Sequence, residues 1–175
     1  RLIPIGIWED VYIEGTERQT LVKPEVSYSL SSDRTKATIN FKAEGVSDAK
    51  WQLIDPDNEI VFEGEGEEVT AQLENVKLWW CNGYGDPNLY TWRLDAQNIE
   101  TKSAKIGFKT ISLVKAPGSW NEGLDYPMSR NTPPMTFVLN GVEIFLKGSN
   151  WVAPEIFYGT LNYDRYYEQL ALVKK

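Results

Sequence analysis

The sequence predicts an all-β fold, an immunoglobulin-like antiparallel β-sandwich, followed by a short strand–helix tail. Three observations carry this. Apolar residues between about 20 and 115 recur with a period of two, turn-forming residues interrupt them every ten or so positions, and no helical period competes there. The single cysteine, Cys81, cannot form an internal disulfide, so a bridged antibody-type sandwich is excluded.

Taken in order, residues 1–14 read as one long strand, with Ile3, Ile5 and Ile7 on one face, and Gly15-Thr16-Glu17-Arg18 reads as a polar boundary. Ala37, Ile39, Phe41 and Ala43 alternate with Thr38, Asn40, Lys42 and Glu44, a strand with one buried and one wet face. Trp51 and Leu53 begin the next strand, closed by Asp55-Pro56-Asp57-Asn58, where Pro presets φ and the Asx residues favour a turn. Ile60 and Phe62 follow, then Val69, Ala71 and Leu73. The run Glu63-Gly64-Glu65-Gly66-Glu67-Glu68 between them reads as a solvated hairpin tip. It lacks the Asp/Asn spacing of an organised calcium loop. Tyr90, Trp92, Leu94 and Ala96 alternate next, then Ile106 and Phe108, with Ile111 and Leu113 after a phase shift near Lys109. Phe41, Trp51, Leu73, Trp92 and Phe108 form the expected core.

From 116 to 136 periodicity dissolves among Pro and Gly into a long connection, whose Trp120, Leu124, Tyr126 and Met128 are expected to dock on a neighbour. Asn140-Gly141, flanked by short apolar runs, predicts a two-residue hairpin turn, because both residues tolerate the positive φ it needs. The second run predicts a strand over Val142–Lys147. A helix is expected from Tyr163 onward, with Asn162 as N-cap, Asp164 in the first turn and Tyr163, Tyr166, Tyr167, Leu170 and Val173 along one face.

Composition narrows the chemistry. The 175 residues carry a net charge of −7 with Lys and Arg spread thinly, so a phosphate-tracking nucleic-acid surface is not expected. Without a basic groove, the seven Trp and nine Tyr read as sandwich core and rim rather than base-stacking platforms. Histidine is absent, which excludes Ser-His-Asp and Cys-His nucleophilic systems and His-ligated metals within these residues. No apolar run approaches the ~20 residues of a membrane helix. Neighbouring carboxylates such as Glu9 and Asp10 would point to opposite faces of a strand and could not flank one glycosidic bond.

Three patches resemble glycoside hydrolase family 2 in its β-mannosidase-like branch. Gly6-Ile7-Trp8-Glu9-Asp10-Val11-Tyr12-Ile13 resembles the strand that closes the family's sugar-binding jelly roll. Leu78-Trp79-Trp80-Cys81-Asn82-Gly83-Tyr84-Gly85 with Pro87-Asn88-Leu89-Tyr90 is similar to a Trp-Pro-Asn-Gly and Pro-x-Leu-Tyr signature, and Gly107-Phe108-Lys109 to a Gly-Phe-Arg of the final sandwich strand. Phe137–Phe157 and Asn162-Tyr163-Asp164-Arg165-Tyr166 resemble the start of the catalytic barrel. Cys81 stands where relatives usually have Pro, Lys109 where Arg is common, and Ala153-Pro154-Glu155 where typical β-mannosidases show Pro-Ala-Asp.

The resemblance implies four segments. Residues 1–19 would be the last jelly-roll strand and a linker, 20–115 the sandwich, 116–136 a linker, and 137–175 the first hairpin, strand and helix of a (β/α)8, or TIM, barrel. It implies a retaining exo-glycosidase acting on terminal β-mannosides by double displacement, whose two catalytic glutamates lie past Lys175. This chain would then be an inactive fragment bridging the sugar-binding and catalytic domains, with no cofactor, no metal and no catalytic residue of its own. Exo-β-glucosaminidase or another family 2 glycosidase is the alternative within the family, and a freestanding carbohydrate- or protein-binding sandwich the alternative outside it. Phe145–Lys147 would be the first barrel strand, and Asn150 and Trp151, just past its C-terminal end, would line or support the sugar pocket, the equal alternative being that Trp151 packs under the barrel's mouth. Expected partners are the carbohydrate substrate and the neighbouring jelly-roll and barrel domains, with no nucleic acid and no membrane. The resemblance suggests a secreted, periplasmic or lysosomal parent, while these residues carry no targeting signal that would fix its location.

The two-Trp patch Trp79-Trp80 admits two readings, a sugar-stacking platform or a brace in which Trp80 and Tyr84 hold one turn of the sandwich against a neighbouring domain, and the brace is the expected one.

Overall fold

The computed structural model describes residues 6–7, 9–13, 22–97, 99–117, 135–148, 150–152, 155 and 157–174. They divide into two compact units, one within 16–146 and the other joining residues of 1–15 to residues of 147–175.

The larger unit is built on two antiparallel sheets. In the first, β1 (Glu25–Leu30), β2 (Lys36–Lys42) and β5 (Glu68–Glu74) lie in the order β1-β2-β5. In the second, β3 (Lys50–Ile54), β4 (Ile60–Glu65), β6 (Tyr90–Asp95) and β7 (Lys102–Ile106) lie in the order β4-β3-β6-β7. These seven strands are the expected immunoglobulin-like sandwich, and its core sits where the alternation placed it. Ala37, Ile39 and Phe41 of β2 and Ala71 and Leu73 of β5 close on Trp51 and Leu53 of β3 and Tyr90 and Leu94 of β6. Phe41 lies 5.3 Å from Trp51 and stacks on Phe62 at 5.7 Å, joining the two sheets. The Trp51 indole N–H, buried with its ring, donates to the Gly66 carbonyl at 3.0 Å, so no polar group is stranded there.

Local chemistry explains the turns. At 55–59 the Asp55 side chain accepts the N–H groups of Asp57 (2.8 Å) and Glu59 (3.0 Å), an Asx-type closure that lets Asn58 take a positive φ of 67°. At 31–36 the Ser31 hydroxyl donates to Asp33, Asp33 accepts the Thr35 N–H, and Arg34 adopts φ 62°.

Three sequence expectations are corrected in this unit. Glu63–Glu68 is not a hairpin tip: β4 pairs with β3 and β5 with β2, so the segment crosses from one sheet to the other. Trp92 packs against the core but stays half-buried, whereas Phe41, Trp51, Leu73 and Phe108 are buried. The phase shift near Lys109 marks a change of sheet. β8 (Ile111–Lys115) leaves the sandwich and pairs with β9 (Met135–Leu139), which pairs in turn with β10 (Val142–Ile144), in the order β10-β9-β8.

The hairpin β9–β10 turns at Asn140 (φ 51°) and Gly141 (φ 85°), the two positive values of the expected tight turn. The third sheet thus joins a strand from the 20–115 segment to a hairpin from the 137–175 segment. The strand expected over Val142–Lys147 ends at Ile144. Among the described residues no strand pairs with Phe145–Lys147, and an unpaired backbone is not held extended by hydrogen bonds.

In the smaller unit, residues 9–13 form no strand, and Val11, Tyr12 and Ile13 are exposed. Ile3, Ile5, Trp8, the boundary at Gly15–Arg18 and the docking residues Trp120, Leu124, Tyr126 and Met128 lie outside the described residues. The helix forms as expected. α1 (Tyr163–Lys174) starts at Asn162, whose Oδ1 accepts the Arg165 N–H at 3.0 Å, an N-cap bond. Its tyrosine face is exposed, with Tyr163 and Tyr167 stacked 6.1 Å apart.

Candidate functional site

A set of specific contacts outside the core binds the Trp79–Tyr84 turn, the 107–110 segment and the β9–β10 hairpin. Its centre is Asn140, the one buried polar residue among those described, at 6% exposure. Its Oδ1 accepts the Thr110 N–H at 2.9 Å, its Nδ2 donates to the Trp79 carbonyl at 3.0 Å, and its own N–H donates to the Thr110 carbonyl at 2.9 Å. One side chain therefore ties three stretches of chain together. Asn140 is thus a turn residue and a clamp at once. Either Asn or Asp at that position would have given the same hairpin signal, and only Asn offers both the acceptor and the donor used here.

Around it the aromatic patch is locked into the sandwich. The Trp79 N–H donates to the Phe108 carbonyl at 2.9 Å, and Lys109 Nζ lies 4.5 Å from the Trp79 ring centroid, a cation–π distance. Gly107 lies flat under that indole, and a Cβ there would come 2.9 Å from Trp79 Cβ, which accounts for glycine at this position. Asn88 Nδ2 donates to the Leu78 carbonyl at 3.0 Å, and Trp79 bridges Pro87. From the far side, the Tyr28 hydroxyl accepts the Lys109 N–H at 3.2 Å and sits 3.1 Å from the Gly107 and Lys109 carbonyls, to one of which it donates. Its ring meets Phe108 edge-on at 5.1 Å.

Tyr84 reaches furthest. Its hydroxyl accepts the Phe145 N–H at 2.9 Å, just past the end of β10. Of the two residues expected to brace this turn, Tyr84 reaches the hairpin, while the contact beside it comes from the Trp79 carbonyl rather than from Trp80. Cys81, at the base of the turn, is half-buried and free.

Three carboxylates among the described residues are held below their ordinary range. Asp33 is held down to about 2 from 3.8 by the Ser31 hydroxyl and the Thr35 N–H. Asp55 is lowered by the Glu59 and Asp57 N–H groups and by Lys77, and Asp95 by the Thr101 hydroxyl and Arg93. A glycosidase acid needs its carboxyl pushed up so that it holds a proton at neutral pH, and these shifts run the other way. Lys77, which pairs with both Asp55 and Asp57, is raised by those partners. Burial raises Tyr90, whose hydroxyl accepts the Lys77 N–H at 3.0 Å. Among the described residues no group of His, Cys, Asp and Glu side chains is arranged to hold a metal. No helix among them is long and apolar enough to cross a membrane.

Asn150 and Trp151, the residues expected to serve a sugar pocket, are both exposed, Trp151 at 45%. They belong to the unit that also holds α1, and Ala153 and Pro154 beside them lie outside the described residues.

Comparison with known proteins places this arrangement. The chain is 25% identical over 194 residues to β-mannosidase B of Aspergillus terreus, covering 98% of this chain and 21% of that protein. It is 34% identical over 179 residues to β-mannosidase of Rattus norvegicus, covering 87% and 19%. It therefore spans about a fifth of the length of the curated relatives it matches. Among solved structures, β-glucuronidase from Ruminococcus gnavus superposes with a TM-score of 0.50 at 24% identity, over 73% of this chain and 19% of that one, a likeness of fold. Residues 9–109, more than half of the sequence, match the model for Glycosyl hydrolases family 2, and the chain belongs to that family.

Proposed function

We propose that this chain is the non-catalytic bridging portion of a family 2 glycosidase, fixing the start of a catalytic barrel to an immunoglobulin-like sandwich. The observation that carries the reading is the bracket formed by Asn140 and Tyr84. It holds the hairpin through side-chain hydrogen bonds to Thr110, Trp79 and Phe145, beyond the ladder with β8. A bridge of this kind serves catalysis indirectly, because a sub-ångström-to-ångström shift in a pocket wall costs an enzyme rate. On this reading the seven strands from Glu25 to Ile106 are the sandwich, the third sheet ties the 137–175 segment that opens the barrel to it, and the acid and nucleophile belong to residues outside these 175. Asn150 and Trp151 line or support the sugar pocket once the barrel is complete.

For the sugar, the reading that fits most broadly is a family 2 glycosidase of unassigned specificity. A terminal β-mannoside is the second reading, favoured by the names of the fungal and rat relatives and by the 34% identity to the latter.

The test is to purify the full-length protein that contains this chain and assay aryl β-mannoside, β-glucosaminide, β-glucuronide and β-galactoside, following the product's anomeric configuration by NMR. Hydrolysis of one of them with retention is expected, and no hydrolysis of any would overturn the proposal. Cleavage of a sugar other than mannose would reject the second reading and leave the first standing. Trp151→Ala should then lower kcat/KM by roughly tenfold, the loss of one aromatic contact of about 1.5 kcal/mol.

A further inference from the structure

The sequence holds two Asn-Gly pairs, Asn82-Gly83 and Asn140-Gly141. A following glycine leaves the main-chain nitrogen least hindered for attack on the asparagine side chain, since glycine has no Cβ. Asparagine is accordingly counted among the thermolabile residues. The fold treats the two pairs in opposite ways. Asn140 is buried, and its Oδ1 and Nδ2 are held by Thr110 and Trp79, so its amide cannot swing toward the Gly141 nitrogen without breaking both bonds. Asn82 and Gly83 are exposed, and nothing lies within 4 Å of where a Gly83 Cβ would stand. They are the central residues of a turn closed by the Tyr84 N–H on the Cys81 carbonyl at 3.1 Å, with Gly83 at φ 86°. Among the described residues, neither the Asn82 side chain nor the Gly83 N–H has a hydrogen-bond partner.

We propose that Asn82 is a site of spontaneous succinimide formation, and that its conversion releases the Tyr84 grip on the hairpin. The Gly83 nitrogen gives up its proton to base in solution and bonds to Cγ of Asn82. The Cγ–Nδ2 bond breaks, and the amide nitrogen leaves as ammonia. Water then opens the ring at one of its two carbonyls. Attack at Cγ yields aspartate at 82 with the main chain unchanged. Attack at the main-chain carbonyl yields an isoaspartyl link, in which the chain runs through the side-chain methylene and the α-carboxylate is free. No oxidant or reductant is consumed. The isoaspartyl turn is one methylene longer and carries a new negative charge, so the Tyr84 N–H no longer meets the Cys81 carbonyl at the spacing of a four-residue turn. Tyr84 sits on that turn, and its hydroxyl loses the Phe145 N–H with it.

The experiment is to incubate the folded 175-residue chain at mildly alkaline pH and physiological temperature. Conversion at 82 and 140 is followed by peptide mapping and by labelling with protein isoaspartyl methyltransferase, and Phe145 amide exchange is read on the same samples. Asn82 should convert at least about tenfold faster than Asn140, the protection expected from two hydrogen bonds that must open first. In denaturant the two rates should converge. Phe145 should exchange faster in the isoaspartyl fraction, and Asn82→Gln should abolish both changes while leaving Phe145 exchange slow. Equal conversion of both asparagines in the folded chain would overturn the proposal. So would an unmodified Asn82 under conditions that convert the denatured chain, or Phe145 exchange indifferent to the isoaspartyl link.

Discussion

Replacing Asn140 with alanine removes the centre of the bracket, and the loss can be built up from its parts. Two side-chain hydrogen bonds disappear, each with a net contribution of about 0.5–1.5 kcal/mol. The turn then forces an alanine to a φ of 51°. That is left-handed territory, where an L-residue with a Cβ is disfavoured by roughly 1–2 kcal/mol, part of which asparagine's own tolerance already offset. Together these come to about 2–4 kcal/mol, and the change is local. The readout is therefore amide exchange across Met135–Leu139 and Val142–Ile144, where opening should become roughly 30- to 1,000-fold more frequent at a tenfold change per 1.4 kcal/mol. The Asn140 N–H to Thr110 carbonyl bond is main-chain and survives, so the hairpin should loosen without being lost. Acceleration of less than about threefold would place Asn140→Ala in the range of ordinary surface substitutions and refute its role as a clamp.

Three further outcomes are expected. Trp51→Ala, at a site 1% exposed, should destabilise the sandwich by about 3–5 kcal/mol in urea titration, with half-buried Trp92→Ala costing clearly less. Equal losses would mean the core is centred wrongly. Tyr84→Phe should speed Phe145 exchange up to about tenfold, the net worth of one hydrogen bond, without moving the urea midpoint; an unchanged Phe145 would remove the second half of the bracket. Asp33, held at about 2 against an ordinary 3.8, contributes stability that is present above 3.8 and is lost as pH falls toward 2. Acid titration of Asp33→Asn should therefore approach the wild-type curve across that window, and a constant separation between the two curves would contradict the assigned turn.

Much of the sandwich was legible because its signal is local. In β2 the alternation Ala37, Ile39, Phe41 against Lys36, Asn40, Lys42 encodes one buried face by itself. The Asn140-Gly141 hairpin and the Asn162 cap were legible for the same reason, each being a short pattern with a single structural solution. Pairing between distant segments was not. Ile111-Ser112-Leu113-Val114-Lys115 alternates like another sandwich strand, and nothing in those five residues says that their partner is β9, more than twenty positions on. The Gly-Glu run before β5 looks the same whether the chain turns back or crosses to the opposite sheet. The site divided likewise. The aromatic content of the Trp79–Tyr84 patch marks it as a packing element, but the residues that meet the hairpin, the Trp79 carbonyl and the Tyr84 hydroxyl, emerge only when the fold brings Asn140 and Phe145 beside them. Asn150 and Trp151 rest on family resemblance, a long-range signal, and both side chains are exposed.

A bridge transmits position only if the hairpin is fixed to the sandwich, and hydrogen exchange on the unmodified chain at low concentration tests this most directly. The amides of β9 and β10 are predicted to be protected well above coil rates and to sit on the same unit as β2, with Thr110 and Phe145 slowed by their side-chain acceptors. Exchange across Met135–Ile144 at coil rates, while Lys36–Lys42 stays protected, would contradict it: the hairpin would then hang free of the sandwich, and the chain could not position a barrel.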